Sequence, residues 1–130
     1  MSHPDLTQAR AALLGHYEEW RSLSLSEGEA IRAGQWTQVE QLQARKRQLQ
    51  EFVAAGLGEL PLAERDRLRA EFRLLVEELL ALEARNREDL TRQREQLATR
   101  QRQTDQIALR LRQLRQSYGL ASVTAWQSYS

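Results

Sequence analysis

The side chains best equipped for chemistry are few. Two histidines, His3 and His16, are the only side chains in the 130-residue chain whose ordinary pKa lies near neutrality. Neither is spaced with Asp, Glu or a second His as a metal ligand would be, so both read as solvated helix-surface residues. Cysteine is absent, which removes thiolate nucleophiles, disulfides and Cys-ligated metals together. The paired carboxylates Glu18–Glu19 and Glu77–Glu78 are neighbours in sequence. On a helix such neighbours diverge by about 100°, so they serve two solvated faces and not one acid/base pair. No glycine-rich loop follows a strand and no nucleophile elbow is present. The expectation is a protein that is not an enzyme and needs no cofactor or metal.

Arginine is the remaining chemical signal. Lys46 is the only lysine, and Arg-x-Arg pairs stand at 85/87, 92/94, 100/102 and 110/112. Between Ala84 and Gln116 nine basic side chains face four acidic ones. A phosphate-binding stripe is one reading. Acids interleave the pairs and no aromatic side chain stands among them to stack on bases, so nucleic-acid binding is the weaker alternative.

Those residues need elements to hold them, and glycine and proline divide the chain. From Leu62 to Tyr118 neither occurs, and the stretch is rich in Leu, Ala, Glu, Arg and Gln, which lose little side-chain freedom in a helix. Pro61 suits a helix start and Gly119 a stop, which predicts one helix over about 62–118, roughly 85 Å long. Gly34 divides the first half into helices over about 4–33 and 37–55. Thr37 and Glu40 have capping-box spacing, and Gly56, Gly58 and Pro61 fall in the next loop. Three serines and Gly28 within Ser22–Glu29 predict a bend or fraying. No strand is expected.

Leu68, Phe72, Leu75, Leu79 and Leu82 repeat at spacings of four and three, the mark of a bundle or coiled-coil seam. The same register continues through Asn86, Leu90, Gln93, Leu97, Arg100 and Thr104 to Ile107, Leu111, Leu114 and Tyr118. Val39, Leu42, Lys46, Leu49 and Val53 form the matching face of the second helix. The two shorter helices end to end nearly equal the third in length. Residues 1–64 carry 6 basic and 9 acidic groups, and 65–130 carry 13 and 9. The favoured architecture is therefore all-α: an elongated antiparallel coiled-coil hairpin of two shorter helices against one long helix. Reversal at 56–61 would set Leu42 on Val76, Trp36 on Leu82, Trp20 on Leu97 and Leu6 on Leu111, with Glu18 near Arg100 and Glu27 near Arg92. A three-helix bundle, with the third helix overhanging, is the alternative.

Residues 1–119 read as a single helical domain. The segment 120–130 reads as an apolar and aromatic tail in which Trp126 and Tyr129 either fold back as cover or serve recognition or self-masking. No apolar run approaches a membrane span, and no signal peptide is evident at the start, so membrane insertion is not expected. A hairpin of two helices leaves part of its apolar stripe uncovered, and a stripe of that kind calls for a partner, another copy of the chain included.

Three segments carry a resemblance to a known family. Ala33-Gly34-Gln35-Trp36-Thr37-Gln38-Val39-Glu40-Gln41-Leu42, running on to Arg45-Lys46-Arg47, resembles a glycine break followed by a leucine helix and basic residues in flagellar type III export chaperones of the FlgN kind; the FliT-like chaperones come second. Leu82-Glu83-Ala84-Arg85-Asn86-Arg87-Glu88-Asp89-Leu90 is similar to a leucine–asparagine–leucine segment of the family's long helix, and Ser117-Tyr118-Gly119 resembles a Tyr-Gly near its end. The resemblance implies a cytoplasmic chaperone that hydrolyses no ATP. It would mask the assembly-prone terminal helices of hook–filament junction or cap subunits and deliver them to the export apparatus. On that footing the apolar groove of Ile107, Leu111 and Leu114 is the expected client site, and Tyr118 the expected contact with the export gate. A structural coiled-coil homo-oligomer with no client is the competing expectation.

Overall fold

A computed structural model describes residues 6–118. Four helices follow one another: α1 (Leu6–Ala33), α2 (Trp36–Gly58), α3 (Leu62–Glu71) and α4 (Arg73–Tyr118), with no strand among the described residues. The chain divides into two units, one ending at Thr91 and the other beginning at Arg92, with α4 contributing to both. The all-α class and the long final helix are as the sequence implies. The helix predicted over 62–118 is interrupted once, at Phe72, where φ −94° and ψ 9° leave the helical basin. Backbone bonds from Phe72 N to Leu68 O (3.0 Å) and from Val76 N to Phe72 O (2.9 Å) carry the i→i−4 pattern across that residue.

The first unit is a three-helix bundle, the alternative arrangement. Gly34 makes it so. Its φ of +70° is the left-handed conformation that glycine adopts without steric cost. Gln35 N donates to Ala30 O (2.9 Å) and Gly34 N to Ile31 O (3.1 Å), the two bonds of a Schellman motif. The chain reverses there, and α2 runs back along α1: His16 stacks on Phe52 at 5.5 Å and Arg45 reaches Glu19 at 2.9 Å. A second reversal follows α2. Arg65 closes it, donating from Nε to Leu57 O (2.9 Å) and from a terminal nitrogen to Leu60 O (3.1 Å), so one guanidinium satisfies carbonyls freed at the helix end.

The last helical stretch then runs parallel to α1. The pairs Arg10–Glu71, Arg21–Glu78, Ser24–Glu83 and Arg32–Asp89 climb both segments together. This corrects the hairpin register. Trp20 bonds Glu83, where the hairpin register set it on Leu97, and Glu27 meets Lys46 and Asn86, where that register set it near Arg92. The reason is burial: two helices shield one seam, whereas a third laid across them encloses residues from all three. Leu13, Tyr17, Val53, Leu57, Leu60, Leu68, Phe72 and Leu79 form the larger apolar cluster, and Ala30, Ile31 and Val39, with Leu42 and Leu90 against them, form a smaller one.

Smaller departures have local causes. α2 extends through Gly56 to Gly58, and its start lacks the expected capping box, since no side chain caps it and Gln35 holds the N-cap position. Pro61 is the N-cap of α3, one residue ahead of the first turn. The expected bend at Ser22–Glu29 is absent: α1 is continuous there, because Ser24, Glu27 and Gly28 are buried and the packing outweighs their low propensity.

Candidate functional site

Two sites of different character emerge, one in each unit. Inside the bundle, polar residues gather where an apolar layer would be expected. Lys46, at a seam position of α2, donates to Glu27 Oε1 (2.7 Å) on α1 and to both carboxylate oxygens of Glu83 (2.7 and 2.8 Å) on α4. Glu83 also accepts from Ser24 Oγ (2.7 Å) and Trp20 Nε1 (3.1 Å). Asn86 Nδ2 donates to Ser24 O and to Glu27 Oε1, each at 2.8 Å. Ser24, Glu27, Lys46 and Asn86 are buried, and no buried side-chain polar atom among the described residues lacks a partner.

Burial pushes the Glu83 carboxyl up, but the bonds from Lys46, Ser24 and Trp20 together with the Lys46 charge outweigh it, leaving Glu83 below the usual carboxylate range. The network ties all three helices in one register: sliding any of them by a turn strands a charge among apolar neighbours. Sequence reasoning placed Lys46 and Asn86 in seams without joining them. The signal was present, since a lone lysine and an asparagine at core-facing positions ask for buried partners.

A cavity of about 150 Å³ lies beside the network, lined by Glu27, Ile31, Gln43, Glu83, Asn86, Arg87 and Leu90. An apolar hollow of about 250 Å³ between α1 and α2 has His16 as its histidine, stacked on Phe52. Among the described residues no group of three or more His, Cys, Asp or Glu is placed to hold a metal ion. His3 lies outside those residues. No described helix is long and apolar enough to cross a membrane.

The second unit holds the residues picked out for a client. From Arg94 to Tyr118 every residue is exposed. Ile107, Leu111 and Leu114 are 57%, 40% and 50% exposed, and Tyr118 is 74% exposed. At about 100° per residue these four share one face of α4 within roughly 60°. Leu97 continues the apolar series two turns and more before Ile107, and Leu109 is exposed on the opposite side. Trp126 and Tyr129 lie outside the described residues.

No family model, no curated protein and no solved structure matches this chain. The polar core is fully satisfied among the described residues. An exposed helical face of aliphatic residues in coiled-coil spacing suits the binding of another helix.

Proposed function

We propose that this protein is a helix-binding chaperone of the flagellar type III export kind, which holds the amphipathic terminal helix of a hook–filament junction or cap subunit in the cytoplasm until export. One observation carries the reading: the Ile107–Leu111–Leu114 face keeps seam spacing over about two turns while standing exposed. Apolar surface in that pattern is stabilised when a second amphipathic helix covers it, at about 25 cal/mol per Å² removed from water. The resemblance of the segments at 33–47, 82–90 and 117–119 supplies the client class and gives Tyr118 its role at the export gate. No nucleotide or cofactor enters the reading, so release depends on a modest affinity.

Leu111→Asp tests it. The substitution is expected to weaken binding of a purified junction or cap subunit from the same genome by at least tenfold in calorimetry, with helical circular dichroism preserved. Undiminished affinity in the folded variant overturns the proposal. The same exposed face also fits the second reading, a coiled-coil homo-oligomer. Light scattering across concentration separates the two, because a tight dimer that closes the seam leaves no site for a client.

A further inference from the structure

We infer that the helix received by the Ile107–Tyr118 face carries acidic residues along both edges of its apolar stripe, and that a second copy of this chain is thereby disfavoured. The inference rests on the chaperone reading for its seam and adds the charge of the occupant. On a helix of 3.6 residues per turn, Arg110 and Arg115 lie about 70° to either side of the line through Ile107, Leu111, Leu114 and Tyr118. Those are the positions that decide partner choice when two helices pair. Among the described residues neither arginine makes a hydrogen bond or an ion pair. Arg100 stands on the same face two turns before Ile107.

The stretch Gln106–Tyr118 contains three arginines and no acidic residue. Laying it on its own copy brings arginine beside arginine at the edges of the apolar contact, where like charges oppose association. The bundle shows the opposite pattern. There the exposed arginines Arg10, Arg21 and Arg45 each meet a glutamate across a helix boundary. A guest helix with Glu or Asp flanking its leucines would extend that pattern to Arg110 and Arg115, and its carboxylates would be placed against guanidinium groups that accept bidentate pairing.

The test uses the full chain and two synthetic amphipathic peptides of about 25 residues, long enough to form a helix on contact. Both carry the same Leu/Ile stripe; one is flanked by Glu, the other by Lys. Fluorescence anisotropy at about 0.1 M salt, where contact pairs survive screening, is expected to show the Glu-flanked peptide binding about tenfold tighter. The double variant Arg110→Glu/Arg115→Glu, altered only at exposed positions, is expected to reverse that preference. Equal binding of both peptides, lost for both in Leu111→Asp, overturns the charge assignment and leaves the seam reading standing. Binding of neither peptide by the folded chain overturns both. A Glu-flanked peptide whose stripe is serine and glutamine, or a single-stranded oligonucleotide, is expected to bind at least tenfold more weakly. Parity of either with the apolar peptide makes the face a general polyanion site and overturns the inference.

Discussion

Residues 73–91 and 92–118 belong to one helix and share one heptad spacing, yet their surroundings differ throughout. In the first stretch Leu79 and Asn86 are buried, Leu90 packs on Ile31 and its neighbours, and Glu83 and Asp89 pair with groups on α1 and α2. In the second, Leu97, Ile107, Leu111 and Leu114 hold equivalent positions and are exposed. Periodicity reports that a face is fit to be covered. What covers it depends on where the rest of the chain turns, and here the Schellman turn at Gly34 brings α1 and α2 together over the first stretch.

That contrast makes its strongest claim about local stability. Helices without tertiary cover are marginal in water, whereas a small bundle opens only with a free energy of roughly 5–15 kcal/mol. Amide exchange is therefore expected to show protection in Leu13–Ile31 and Val39–Val53 that exceeds that of 94–118 by about a thousandfold or more. Equal protection across α4 would mean that the second stretch is covered in solution by something already bound. Adding the Glu-flanked peptide should raise protection in 104–118 alone.

The network makes the next largest claim. Among the described residues Lys46 is the cation that pairs with both Glu27 and Glu83, and its removal leaves a buried carboxylate uncompensated. Breaking a buried pair in this way costs about 3–5 kcal/mol. Lys46→Ala is expected to lower the unfolding free energy read from urea denaturation by that amount, while Arg110→Ala, at an exposed position, stays within about 0.5 kcal/mol of the parent. A small effect for Lys46→Ala would show that Glu27 takes up a proton or water in its place, and that the bundle owes its register to the apolar layers instead.

The same residues explain how far the sequence could be read. Helix content, the stop at Gly34 and a long last helix, apart from its break at Phe72, followed from glycine and proline placement and from propensity, which act locally. The choice of neighbours did not. Charge balance between the halves fits α1 beside either part of α4, because Glu27 can meet an arginine in one register as readily as Lys46 in the other. Only burial separates them, and burial is a property of three helices at once. The exposed seam at 107–118 was legible for the converse reason: its pattern depends on one helix alone. Ser22–Gly28 misled because low propensity usually marks a weak point, whereas here small side chains let a neighbouring helix come close.

Gly28 turns that last observation into the finest test of covered against uncovered surface. A Cβ at Gly28 would lie 2.8 Å from Asn86 Oδ1 and 3.3 Å from a terminal nitrogen of Arg32. The asparagine is held by its bonds to Ser24 O and Glu27, so it can yield only by giving up part of the network. Gly15, on the same helix, has open space where its Cβ would be. Alanine is favoured over glycine in a helix interior by about 0.5–1 kcal/mol wherever nothing obstructs it. Gly15→Ala is thus expected to raise stability by that amount, and Gly28→Ala to lower it by about 1–2 kcal/mol as the Asn86 bonds loosen. Arg32, long and half-exposed, can move aside, so the sign at Gly28 depends on Asn86. If Gly28→Ala stabilises the protein as Gly15→Ala does, the amide has room to shift and the close approach of α1 to α4 does not require glycine. The sign persisting in an Asn86→Ala background would place the obstruction in the backbone and not in the network.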